Sequence, residues 1–308
     1  MIPTFNDEDI ISEVLENMRD QGTFPVVLDN GSSDNTFNIC KKFSDRGKIK
    51  LSRFYSESFN MDSILEIAYD MALIEKPDWI VLCASDELFE SGSKNFKLSE
   101  AISQIDSEGY NLIQFNRFDF FMSDDDDKSA KTIREKLRYY SYQDDFLYRA
   151  WKFIPGIRLL EDGHYPFFPE GQKYIICPRK LVIRHYTFRS KEQAEKKIRD
   201  RIDRKIRNKK SNKDLDQHLK NILSHEFTKS VDHNLLTKYN EDNRWNLERK
   251  YVPYVVQHPK KSDVFSDNGF LKRKPKTVIE LSIILKEKNK KIIALKKRLE
   301  ELKKKKRS

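Results

Sequence analysis

The chain has 308 residues, 38% hydrophobic and 35% charged, with a net charge of +10. That length supports one large α/β domain with an appendage, or two domains, and the lack of any run of about 18 apolar residues excludes a membrane-spanning helix. Three widely spaced cysteines, Cys40, Cys83 and Cys177, form no CxxC pair, which argues against a disulfide or zinc framework and for a reducing compartment.

The charge is unevenly spread. Acids crowd residues 1–130, including the run Ser123-Asp124-Asp125-Asp126-Asp127, and the basic excess lies after about residue 170. A basic face or tail meeting an anionic partner fits this, and so does a solvated basic helix. The N-terminus lacks a basic segment followed by an apolar stretch, so no signal peptide is expected. The expected location is the cytoplasm, free or peripheral at the cytosolic face of a membrane.

In chain order, Met1–Phe5 is a short apolar start, and Asn6 or Asp7 can cap the next helix. Ile10, Ile11, Val14, Leu15 and Met18 share a helical face that Gly22 closes. Phe24–Leu28 reads as a buried strand, Asp34–Phe43 as a helix, and Ile49–Tyr55 as a strand. Asn60–Ile74 reads as a helix broken by Pro77, and Trp79–Ala84 as an apolar strand. Strands buried on both faces and separated by helices imply a parallel sheet. A first strand this short suggests a clipped N-terminus.

Beyond Asp86 the pattern changes. Leu98–Ile105 reads as a short helix and Tyr110–Phe121 as an aromatic-rich strand, and 123–145 reads as a mobile loop. Phe146–Phe153, Ile157–Leu160, Lys173–Ile176 and Leu181–Tyr186 read as shorter strands that complete a mixed sheet. Helices come next, over Lys191–Lys209 and about 214–238, then a polar linker over 240–275. Leu281, Leu285, Lys288, Ile292, Leu295, Leu299 and Leu302 form a heptad seam with one Lys inside it. It covers only about three heptads and is marginal alone. The expected divisions are 1–205, 206–275 and 276–306.

Four constellations could carry chemistry. The turn Leu28-Asp29-Asn30-Gly31-Ser32-Ser33-Asp34-Asn35-Thr36 joins a buried strand to a helix. It puts a carboxylate and free N–H groups where α/β sheets bind nucleotides, and the helix start suits phosphate. Ser85-Asp86-Glu87 ends an apolar strand; its carboxylates could hold Mg²⁺ or Mn²⁺, or cap a helix. Glu161-Asp162-Gly163-His164 could supply a general base, or be an ordinary acidic turn. His185, in Arg184-His185-Tyr186-Thr187-Phe188-Arg189-Ser190, could bind a metal, or be a satisfied His at a strand end; Arg189 could meet phosphate. The basic helix after Ser190 has few aromatics, a poor match for single-stranded nucleic acid.

These motifs resemble the family 2 glycosyltransferases with a GT-A fold. Ile2-Pro3-Thr4-Phe5-Asn6 resembles their first-strand motif, and the 28–36 turn their nucleotide-binding turn. Trp79 to Glu90 is similar to the branch carrying an Asp-Ala-Asp-Glu stretch. Arg184-His185-Tyr186 with Arg189-Ser190, Glu192-Gln193-Ala194-Glu195 and Arg199 is similar to a signature of that branch. The resemblance covers about 1–205 and implies a Rossmann-like GT-A domain with a mixed central sheet, followed by a helical extension.

It also implies an inverting, metal-assisted transfer from a nucleotide-diphosphate sugar to an acceptor hydroxyl, in surface polysaccharide or other glycan synthesis. Pro3, Thr4, Asn6, Asp29 and Arg189 would line the nucleotide site. Asp86, Glu87 and His185 would hold Mn²⁺ or Mg²⁺, and Asp162, with Glu161 next, would be the base. Ala84 stands where that branch has the first Asp of its metal motif. A second reading is a weakened GT-A domain that binds sugar nucleotides or glycans. A third is a basic coiled-coil scaffold at anionic surfaces. The lysine-rich tail suits a weak homodimer or an anionic membrane surface.

Overall fold

The computed structural model describes residues 1–55, 61–160, 165–207, 230–240, 242 and 244–250. The chain divides into two units, Met1–Ser262 and Asp263–Ser308, and every described residue lies in the first. The heptad seam therefore lies outside the described residues.

The first half alternates strand and helix. β1 (Ile2–Thr4), β2 (Val26–Asp29) and β3 (Lys50–Arg53) form a parallel group in the order β1-β2-β3. α1 (Ile11–Asp20) and α2 (Thr36–Ser44) make the connections, and α3 (Met61–Ile74) leads to β4 (Trp79–Val81). The amine of Met1 donates to Val81 O at 2.7 Å and the Cys83 N–H to Met1 O at 3.1 Å. These bonds seat β1 beside β4 and join the parallel group to the rest of the sheet.

That remainder is mixed. β5 (Glu87–Glu90), α4 (Leu98–Ser107), β6 (Leu112–Phe121), α5 (Ile133–Lys136), β7 (Tyr139–Lys152) and β10 (Leu181–His185) come after β4, with a small hairpin of β8 (Arg158–Leu160) and β9 (Tyr165–Phe167) before β10. β10 runs parallel to β6 and antiparallel to β5, and β7 pairs antiparallel with β6 and β4. α6 (Lys191–Arg207) leaves from β10, and β11 (Thr237–Lys238) adds to β7.

Alternation sets the layers, because successive strand residues face opposite sides. Ile2 and Val27 join a cluster with Ile11, Val14, Leu15 and Met18 of α1, Cys40 of α2 and Leu98, Ile102 and Ile105 of α4. Val26 and Leu28 are buried but lie outside that cluster, and α3 contacts β1 and β2. Each fully buried Leu, Ile or Val contributes roughly 1.5–3 kcal/mol. No helix among the described residues is long and apolar enough to cross a membrane.

Several sequence expectations change. The expected 123–145 loop contains α5 and the first half of β7. Glu87–Glu90 is a strand, and the expected Lys173–Ile176 strand is reduced to a single bridge from Ile176 to Leu112. The described end of the expected 214–238 helix is a 3₁₀ turn, His233–Leu235, followed by β11. Part of the expected linker packs on the sheet: the Tyr142 N–H donates to Lys250 O at 2.9 Å and the Glu248 N–H to Tyr140 Oη at 2.9 Å.

Candidate active site at the carboxyl ends of the parallel strands

β1, β2 and β4 end together, and the loops that leave them meet the start of α6. The β1 loop turns at Asn6, whose φ of 54° is left-handed, a conformation that Asn tolerates better than most residues. Three bonds hold it there. Its N–H donates to Ser32 Oγ at 3.0 Å, its Oδ1 accepts from the Ser33 N–H at 2.8 Å, and its Nδ2 donates to Asp200 Oδ2 at 2.8 Å. Asn6 thus ties the β2 turn to α6.

The pairing register sets Thr4 beside Asp29 on one face of the sheet. Asp29 is fully buried; its Oδ2 pairs with Arg53 Nε at 2.9 Å and accepts the Ser32 N–H at 3.2 Å. Thr4 Oγ1 and Asp29 Oδ1 are buried and have no hydrogen-bond partner among the described residues. Two neighbouring polar atoms in that condition are unusual, because each such group costs about 1–3 kcal/mol. Gly31 has φ 71°, and a Cβ there would stand 3.1 Å from the Tyr55 ring. Pro3 sits in β1, where it lacks an N–H to donate to its neighbours.

Arg189 has a different position from the one expected of a phosphate contact. It is fully buried, and its Nε and Nη2 grip Asp9 at 2.8 and 2.7 Å. Nη2 also reaches Asp7 Oδ1 at 2.8 Å and Nη1 reaches Tyr186 O at 2.9 Å. Asp7 in turn accepts from Ser85 Oγ. Burial works against the guanidinium's charge, yet Asp9 and Asp7 raise its pKa. Arg189 is a strut joining the β1 and β10 loops.

Asp86 is the centre of the second group. Its Oδ2 accepts from Lys197 Nζ at 2.6 Å, and its Oδ1 lies 3.6 Å from His185 Nε2. Burial opposes ionisation of this carboxyl, but Lys197, His185 and Arg189 outweigh it and lower its pKa. His185 Nδ1 meets Asp119 Oδ1 at 2.8 Å, and Thr187 Oγ1 lies 2.9 Å from Nε2. Burial disfavours the imidazolium, but Asp119 and Asp86 prevail and raise the His185 pKa. Lys197 is the functional candidate that the motifs missed.

The residues expected to hold a divalent cation do not fit one. Mg²⁺ takes near-octahedral oxygen ligands. Glu87 is buried, with Oε1 3.2 Å from Arg149 Nη2 and Oε2 accepting the Ala84 N–H at 2.8 Å. Asp86 is already paired, both His185 nitrogens have partners, and Ala84 has no side-chain ligand atom to offer. Among the described residues, one group of three gathers its ligand atoms within 4.8 Å: Asp124, Asp232 and His233, outside this site. Asp162 and Glu161, the candidate bases, lie outside the described residues.

The mixed α/β fold gathers these candidate residues at the carboxyl ends of its strands, where proteins of the α/β class bind their ligands. The model of Glycosyltransferase family 92 matches residues 1–252, and the chain belongs to that family. It is a distinct family from the family 2 that the motifs resemble. The Mycoplasma pneumoniae protein named uncharacterized glycosyltransferase MG060 homolog is 30% identical over 115 residues, 37% of this chain and 34% of that protein. Its Mycoplasma genitalium counterpart, MG060, is 25% identical over 124 residues, 38% and 40% of the two chains. The chain thus spans less than half the length of these curated relatives. Among solved structures, S. aureus TarS 1-349 in complex with UDP aligns at TM-score 0.36 and 15% identity, covering 75% of this chain and 71% of that one. The same protein with UDP-GlcNAc aligns at 0.34 and 16%, covering 79% and 77%.

Proposed function

We propose that this chain transfers a sugar from a nucleoside-diphosphate donor to an acceptor hydroxyl, with inversion, on a GT-A type of fold. Membership of a glycosyltransferase family supports the reaction class. The observation that carries the donor site is the pair of unpartnered buried atoms, Thr4 Oγ1 and Asp29 Oδ1, side by side at two strand ends. A nucleotide base offers the N–H and carbonyl groups that would satisfy them. Arg53 flanks Asp29 and lies over the Phe37 and Tyr55 rings at 4.4 and 4.9 Å, which gives the pocket a flat aromatic wall.

In this reading the acceptor oxygen forms a bond to the anomeric carbon. The bond from that carbon to the β-phosphate oxygen breaks, and its electron pair leaves with the nucleoside diphosphate. The acceptor proton passes to a carboxylate, for which Asp162 and Glu161 are the sequence candidates. The chain's part is to hold the donor, keep that carboxylate in reach and offset charge on the departing phosphate.

The sequestered Glu87 and paired Asp86 favour a second reading, a domain that binds the sugar nucleotide without turning it over. Thermal unfolding with UDP, GDP, dTDP and CDP tests donor binding. A ligand at 100 times its Kd adds about 2.7 kcal/mol, so one nucleotide should raise Tm clearly. Tm unchanged with all four would sink both readings. Release of free nucleoside diphosphate from the matching sugar donor separates transferase from binding module.

A further inference from the structure

We propose that Lys197, held in place by Asp86, takes the role of a divalent cation at the donor diphosphate, so that donor binding needs no metal. This rests on the nucleotide-sugar reading above and concerns how the same site handles charge.

α6 is anchored at its start, which fixes where Lys197 points. Ser190 Oγ accepts the Gln193 N–H at 3.1 Å, and Gln193 Oε1 accepts the Arg189 N–H at 3.1 Å. Arg189 is itself pinned to Asp7 and Asp9. Long helical side chains lean toward the N-terminus, and Lys197 leans back over Thr187, donating to its carbonyl at 3.3 Å while it meets Asp86 at 2.6 Å. Asp200, on the same face of α6, holds Asn6. The helix therefore stands as a wall against both strand-end loops.

A lysine ammonium has three donors. Asp86 and Thr187 O take two, and 18% of the Lys197 side chain remains exposed. A phosphate oxygen can take the third without disturbing the other two. A dication would first have to expel this ammonium from Asp86. It would then share the site with the displaced charge, gaining a single carboxylate, because Glu87 faces Arg149 and Ala84 carries none. Lys197 keeps its proton throughout; it donates a charge-assisted hydrogen bond to the oxygen on which negative charge collects. Asp86 is then a positioning residue.

The test is calorimetric titration of the full chain with the nucleotide that raises Tm, in excess EDTA and in excess MnCl₂. The expected result is binding in EDTA with a Kd within about threefold of the Mn²⁺ value. Lys197→Met should weaken the nucleoside diphosphate about tenfold or more while the monophosphate's Kd stays put, and Lys197→Arg should keep the preference for diphosphate. A variant that merely misfolds would lose both ligands alike. Binding only with Mn²⁺ would overturn the inference and leave the transferase reading standing. A Lys197→Met protein that still prefers the diphosphate would overturn the role of Lys197. If no nucleotide binds in either buffer, the donor reading fails and the inference falls with it.

Discussion

Arg189 and Asp9 are joined by two parallel hydrogen bonds, 2.8 and 2.7 Å, across 180 residues of chain. The fork is buried on the arginine side, and Nη2 also holds the buried Asp7. Removing one partner of a buried ion pair typically costs about 3–5 kcal/mol. Arg189→Ala should therefore lose that much in urea unfolding. Arg189→Lys should recover little, because an ammonium cannot reproduce the planar fork. Near-wild-type stability of Arg189→Ala would show that the strut is dispensable.

Thr4→Val should separate stability from binding. The hydroxyl is buried without a partner, so replacing it with a methyl should leave stability unchanged or raise it by up to about 1 kcal/mol. If a bound base uses that hydroxyl, nucleotide Kd should rise about three- to tenfold. Calorimetry beside chemical unfolding reads both; unchanged affinity would remove Thr4 from the pocket.

Glu87→Gln should behave as a structural change. Glu87 pairs with Arg149 and accepts the Ala84 N–H, so a loss of about 1–3 kcal/mol is expected. Nucleotide affinity of the folded variant should match the wild type with or without Mn²⁺. A Mn²⁺-specific loss of affinity would return Glu87 to the role of metal ligand.

The pH response should carry a His185 signature. Its pKa is raised by Asp119 and Asp86 against the opposing effect of burial. The folded state therefore holds the proton more tightly than the unfolded chain. The resulting stability is complete below the unfolded value of about 6.5 and is lost as pH rises through the higher folded value. Wild-type Tm should fall over that interval, and the fall should be absent in His185→Gln. Parallel profiles would exclude His185 as its source.

The parallel half of the fold was legible because β2 and β4 are short apolar runs set between amphipathic helices, a pattern that needs no knowledge of distant partners. β5 was not. Its sequence, Glu87-Leu88-Phe89-Glu90, begins and ends in carboxylates, which only become tolerable inside a sheet through Arg149, Arg184 and Arg244. The start of β7 was hidden for a similar reason: Ser141 and Gln143 are buried yet read as loop residues. At the site, Asp29 and Asn6 were visible as turn chemistry. Local sequence did not show that Arg189 would turn inward to Asp7 and Asp9, or that Lys197 would reach Asp86 across 111 residues. The available hint was a lysine on a helix capped beside the motif, two turns from Ser190.

The same long spans have a consequence in time. Asp7, Asp9 and Asp86 are made early, while the cations that neutralise them, Arg189 and Lys197, are made more than a hundred residues later. During synthesis the amino-terminal strands would hold a cluster of unmatched carboxylates until α6 emerges, and contacts this far apart in sequence form slowly. This cluster is therefore among the last parts of the described fold to close, and a ribosome stalled before residue 189 would display the 28–36 turn without the helix that packs beside it.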